Sequence, residues 1–122
     1  MAIDKTIFVV DDVGVNLSVT KTALDSEFNV VTSSSGEKAL KLMTKIRPDL
    51  ILLDIDMPEI DGFEVLEIIK RKEEYANIPV IFLTAMTDGG VKEKGYKLGA
   101  VDFIGKPFSP GVLMEIVKRY LN

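Results

Sequence analysis

Five short apolar runs recur along this chain, and they constrain its fold more than any other feature. Ile7–Val10, Asn29–Thr32, Leu50–Leu53, Val80–Leu83 and Val101–Ile104 are rich in β-branched residues, and Ile7–Val10, Leu50–Leu53 and Val80–Leu83 are apolar throughout. A strand with one wet face alternates apolar and polar side chains. A strand buried on both faces has no reason to alternate. Continuous apolar runs therefore predict a parallel sheet covered on both sides.

The segments between the runs read as helices. Asn16–Glu27 carries Leu17, Thr20, Ala23 and Leu24 at helical spacing. Gly36–Ile46 carries Ala39, Leu42, Met43 and Ile46, and Gly62–Lys72 carries Val65, Leu66 and Ile69. Val91–Leu98 is shorter and follows Gly89-Gly90, whose backbone freedom weakens a helix start. Ser109 caps a last helix with Pro110 at its first position. Val112, Leu113, Ile116, Val117 and Tyr120 give that helix its apolar face. Strands alternating with helices predict an α/β doubly wound domain, a (βα)5 three-layer sandwich with right-handed crossovers. The common order for its five-stranded parallel sheet is 2-1-3-4-5, the flavodoxin-like arrangement. The length of 122 residues, with no linker or repeat, predicts one domain over 1–122.

Composition excludes several chemistries. There is no cysteine and no histidine, which removes disulfides, thiolate nucleophiles, Ser-His and Cys-His relays and any phosphohistidine of the chain's own. The net charge is −4 and no basic block is present, so direct nucleic-acid binding is not expected. No apolar stretch approaches membrane-span length, so no membrane association is expected. The opening MAIDKTIFVVDD lacks the charge-then-apolar layout of a signal peptide. A soluble, cytoplasmic protein is the expectation.

Chemistry gathers at the strand ends. The first strand ends in Asp11-Asp12, the third in Asp54, the fourth in Thr84, and the fifth leads into Lys106-Pro107. In the predicted order the first strand lies beside the third, the third beside the fourth, and the fourth beside the fifth. Each residue alone has a plain reading: Asp11-Asp12 as a helix cap, Asp54 as a strand stop, Thr84 as a solvated strand end, Lys106 as a surface lysine. All of them at the same end of different strands make a site. Clustered carboxylates resist ionising unless a counter-charge is present. A hard divalent cation supplies one, and few carboxylates with room for water suit Mg²⁺, with Mn²⁺ as a substitute, better than an all-protein Ca²⁺ cage. With Lys106 adding positive charge and Thr84 a donor, a carboxylate there is placed to attack phosphorus.

Four motifs in order, FVVDD, LLDIDMPEIDGFE, IFLTA and LGAVDFIGKPF, span essentially the whole chain. Together they resemble the receiver domain of two-component response regulators, in its single-domain, chemotaxis-type form. The resemblance implies that Asp54 is the phosphoacceptor. It implies side-chain ligation of Mg²⁺ by Asp12 and Asp54, the backbone carbonyl of Asp56 as a third protein ligand, and Asp11 acting mainly through metal-bound water. Lys106 would hold a phosphoryl oxygen, Thr84 would respond to phosphorylation, and Phe103 falls at the switch aromatic. Lys106-Pro107 would be a cis peptide. Met86 and Asp56 occupy positions that tune hydrolysis.

The implied donor is the phosphohistidine of a sensor histidine kinase or histidine phosphotransfer protein. The implied readout is a downstream protein meeting the surface of the fourth helix, fifth strand and fifth helix. Such a protein is not an enzyme beyond promoting its own phosphoryl transfer and dephosphorylation, and is a monomer or a phosphorylation-linked dimer. The expectation is a stand-alone signalling or phosphorelay protein with no output domain in this chain.

Two rivals share the pattern. DIDM also resembles the nucleophile motif of haloacid dehalogenase-like phosphatases, but that family places its extra acidic pair after the lysine, whereas Asp11-Asp12 precedes it here. A nucleotide- or flavin-binding module would use the loop after the first strand, but DDVGVN is acidic and would repel phosphate.

Overall fold

The computed structural model describes residues 5–121. Residues 1–4, where the reading of the N-terminal charge pattern begins, and residue 122 lie outside the described residues. The elements alternate: β1 Thr6–Val10, α1 Gly14–Leu24, β2 Asn29–Ser33, α2 Gly36–Leu42, β3 Leu50–Leu53, α3 Gly62–Arg71, β4 Val80–Thr84, α4 Gly89–Leu98, β5 Asp102–Gly105 and α5 Pro110–Leu121. The sheet runs β2-β1-β3-β4-β5, as the sequence predicts, and every pairing is parallel. Val10 pairs with Leu53, Leu53 with Phe82, and Thr84 with Gly105, so the carboxyl ends of β1, β3, β4 and β5 lie side by side. Among the described residues no helix is long and apolar enough to cross a membrane.

The period of two along each strand divides the core. Phe8, Val10, Ile51, Leu53, Val80, Phe82 and Phe103 share one face with Ala39 of α2 and Val65, Leu66 and Ile69 of α3. Ile7, Val9, Leu50, Leu52, Ile81, Leu83 and Ile104 share the other with Leu24 of α1 and Leu113 and Val117 of α5. All four residues of β3 are buried, since this strand is covered above and below. Leu66 is fully buried, and a side chain in that state contributes about 1.5–3 kcal/mol.

Local chemistry sets the helix ends. Asp61 and Glu64 form a reciprocal capping box at α3. Ser109 Oγ accepts from the Val112 amide at 3.1 Å, the expected cap of α5. α4 begins at Gly89 rather than Val91, because Asp88 accepts from the Val91 amide and recruits both glycines into the first turn. α2 stops at Leu42 rather than Ile46. Beyond it Thr44 donates its hydroxyl to the Lys41 carbonyl at 2.9 Å, an alternative to helix continuation. α1 begins at Gly14 without a side-chain cap, so Asp11 and Asp12 do not cap it. β5 starts at Asp102 rather than Val101 and runs on to Gly105.

α4 reaches β5 through a glycine. A Cβ on Gly95 would stand 2.4 Å from Phe103 Cζ and 3.1 Å from Phe82 Cε2. The missing side chain lets the Phe103 ring lie under the helix, edge-on to Tyr96 at 5.3 Å between centroids. Phe103 also lies 5.2 Å from Phe82, which meets Phe63 at 5.5 Å. Overfilling such a space costs about 1–3 kcal/mol. Gly95→Ala therefore lowers stability by about that amount in urea unfolding; an unchanged midpoint would mean that the ring moves aside freely. Gly95 is the only residue of α4 that is buried. The amides of α4 should thus exchange with solvent before those of α3, which buries Gly62, Phe63, Val65, Leu66 and Ile69. Equal protection of the two helices in hydrogen exchange would refute this.

Candidate functional site

The backbone ladder continues past the strand ends and places the polar residues. The Asp11 amide donates to the Ser33 carbonyl at 3.1 Å, the Asp54 amide to Val10 at 2.9 Å, and the Lys106 amide to Thr84 at 3.0 Å. Asp11, Asp54 and Lys106 are thus each pinned to the end of a neighbouring strand. Asp11, Asp12 and Asp54 come together, one carboxylate oxygen from each lying within 4.8 Å of the others. Asp11 and Asp54 are buried, and Asp12 is the more open of the three.

Lys106 reaches across this cluster. Its ammonium forms a short ion pair with Asp11 Oδ2 and lies 3.3 Å from Asp54 Oδ2. The other oxygens are held by backbone: Asp54 Oδ1 accepts from the Ile55 amide at 2.8 Å and Asp11 Oδ1 from the Val13 amide at 3.0 Å. Burial pushes the Asp54 carboxyl above its ordinary pKa of 3.8; Lys106 opposes the rise, and the Asp11 carboxylate adds to it. Three carboxylates around one ammonium leave an excess of negative charge, all of it on hard oxygen donors.

The other sequence-predicted residues take distinct places. Thr84 is fully buried at the end of β4, where its hydroxyl accepts from the Met86 amide at 3.2 Å. The Asp56 side chain is exposed, between buried Ile55 and Met57, and stands apart from the acid cluster. The Lys106-Pro107 peptide bond is cis. Phe103 lies outside the acid cluster, buried beneath α4.

One positioning residue escapes sequence reasoning. A Cβ on Gly62 would fall 2.2 Å from the Asp54 carbonyl oxygen and 2.7 Å from Ile55 Cα. The Gly62 amide instead donates to the Ile55 carbonyl at 2.8 Å, so the start of α3 rests on the backbone that carries Asp54. The glycine is visible in PEIDGFE as a helix start. The contact that requires it joins Gly62 to Asp54 across a loop and leaves no periodic trace.

Similarity to known proteins agrees with this geometry. The model of the response regulator receiver domain matches residues 7–118. The chain is 38% identical over 117 residues to a probable cyclic di-GMP phosphodiesterase of Vibrio cholerae, spanning 96% of this chain but only 26% of that protein. It is 36% identical over 119 residues to the polar-differentiation response regulator DivK of Brucella ovis, spanning 97% of both. Its fold superposes on the chemotaxis protein CheY4 of Vibrio cholerae with a TM-score of 0.91 at 30% identity, covering 95% of this chain and 98% of that one. The match decides against the phosphatase and flavin-module readings. Strand order, the acid cluster around Lys106 and these likenesses converge on one conclusion: the chain belongs to the response regulator receiver domain family of two-component signalling.

Proposed function

We propose that residues 1–122 form a phosphorylation-controlled switch that takes a phosphoryl group on Asp54 from a partner's phosphohistidine. The observation that carries this is the setting of Asp54: a buried carboxylate with Oδ1 fixed by the Ile55 amide and Oδ2 facing Lys106. In the transfer, an Asp54 oxygen attacks phosphorus while the bond from phosphorus to the donor imidazole nitrogen breaks. The imidazole leaves with the electron pair and takes a proton from solvent. Lys106 stands close enough to neutralise an oxygen carried on Asp54. The Thr84 hydroxyl, on the adjacent strand end, is the donor for another.

Receiver domains typically bind Mg²⁺, and the donor set here fits: three carboxylates, hard oxygens throughout, with more negative charge than one lysine balances. Asp12 and Asp54 would hold it through their side chains and Asp56 through its backbone carbonyl, with Asp11 acting through bound water. When bound, the ion neutralises phosphoryl oxygens. Mn²⁺ suits the same donors.

A phosphoryl group on Asp54 adds charge and acceptor oxygens at the end of β3. Thr84 and Lys106 respond, and through Phe103 the α4–β5–α5 surface shifts population. That surface exposes Tyr96 and Val101, and carries the Tyr120 hydroxyl donating to Asp102 Oδ2 at 2.9 Å. It is where a downstream protein docks, or a second copy in a phosphorylation-linked dimer. The donor is a sensor histidine kinase or histidine phosphotransfer protein, the compartment is the cytoplasm, and the chain's own chemistry ends with its dephosphorylation.

Intact-mass measurement after incubation with acetyl phosphate tests the assignment. One added phosphoryl group is expected, requiring both Mg²⁺ and Asp54. An equal adduct on Asp54→Asn would move the acceptor elsewhere. The burial of Asp54 gives a second test. Its folded-state pKa is raised, so the folded protein holds that proton more tightly than the unfolded chain. The ionised form therefore subtracts stability, and the loss grows as pH rises from the ordinary value of 3.8 through the folded value. Without divalent cation, Asp54→Asn should raise Tm at neutral pH, with the gain shrinking as pH falls toward that ordinary value. A gain that is constant with pH would disprove the electrostatic origin.

A further inference from the structure

We propose that the groove between α1, the end of β2 and α2 binds a small phosphate-bearing molecule, at a place distinct from the acid cluster. The groove encloses about 460 Å³, within the roughly 300–1,000 Å³ of small-ligand sites. Lys38, Lys41 and Lys45 line it, together with the hydroxyl residues Thr32 and Ser34. Leu17 and Leu42 add apolar surface, and no carboxylate lines it.

The three lysines converge on one groove. Spacings of three and then four residues set their ammoniums along one side of α2 and the turn that follows it. Other cations of the chain are partnered in several ways: Lys21 pairs with Asp25 and Lys118 with Glu27, Lys70 donates to the Ala76 and Ile78 carbonyls, and Lys94 lies over the Phe63 ring. Among the described residues, Lys38, Lys41 and Lys45 have no carboxylate within 4.0 Å, although the chain as a whole is acidic with a net charge of −4. Like charges at this spacing repel, and a multivalent anion between them relieves the repulsion.

Ammoniums and hydroxyls together match phosphate oxygens, which accept from both. The apolar side chains suit the body that carries the phosphate. A nucleoside monophosphate has this combination of charge and flat apolar surface. The groove also adjoins the acid cluster through backbone, because the Ser33 carbonyl accepts the Asp11 amide at 3.1 Å.

The test is a nitrogen–proton NMR titration of the full chain in EDTA at physiological salt, with AMP and with pyrophosphate as separate probes. EDTA keeps metal-bridged phosphate away from Asp54. Saturable shifts confined to the amides of residues 32–45 are expected, and Lys41→Gln should weaken them about tenfold. Saturation by pyrophosphate alone would place recognition in the phosphate, and saturation by AMP alone in phosphate and base together; both support the site. Linear shifts without saturation, shifts centred on Asp54, or full affinity in Lys41→Gln would overturn it and leave a solvated basic face. Acetyl phosphate should still modify Lys41→Gln as it does the wild type, which separates failure of this site from failure of the Asp54 assignment.

Discussion

A carboxylate at the end of a fully buried strand needs a counter-charge, and in this fold Lys106 provides it. One ammonium, delivered by the chain after β5, pairs with Asp11 after β1 and reaches Asp54 after β3. Losing it would leave Asp11 and Asp54 repelling each other away from bulk water, where such repulsion is poorly screened. The pairing also ties the outer strand β5 to the inner strand β1 across two intervening strands, which backbone pairing alone does not do. The same ion pair that steadies the fold therefore occupies the region where a phosphoryl group and a divalent cation would compete for these oxygens.

Most of this was legible in the sequence because it follows from period and order. Leu50–Leu53 is apolar throughout because β3 is covered on both faces, and that run led directly to Asp54. Once five strand–helix units were read, the sheet order and the side-by-side strand ends followed from general rules of doubly wound sheets. The grouping of Asp11, Asp12, Asp54 and Lys106 is a consequence of topology, so four dispersed motifs sufficed to find it.

What was not legible depends on contacts between residues distant in sequence, or on competition at helix ends. The Gly62 contact with the Asp54 backbone and the Gly95 contact with Phe103 are contacts of absence: a missing Cβ leaves no signature of its own. The early start of α4 turned on one Asp88 hydrogen bond, against two glycines that argued for a later one. The early end of α2 turned on the Thr44 hydroxyl, although Ile46 continued the apolar spacing. At both helix ends a local polar group outweighed the sequence-based expectation.

The two faces of the sheet differ in the shape of some of their packed side chains. On the α1 and α5 side, Ile81, Leu83, Ile104, Leu113 and Val117 interlock as branched aliphatic side chains. Sliding such a layer means climbing over methyl groups. On the α4 side flat rings, Phe63, Phe82 and Phe103, lie in a row beneath a helix that meets Phe103 with the bare backbone of Gly95 and the ring of Tyr96. Rings can tilt or glide past one another with little change in buried area. A push delivered at the strand ends would therefore meet less resistance toward α4 than toward α1 and α5.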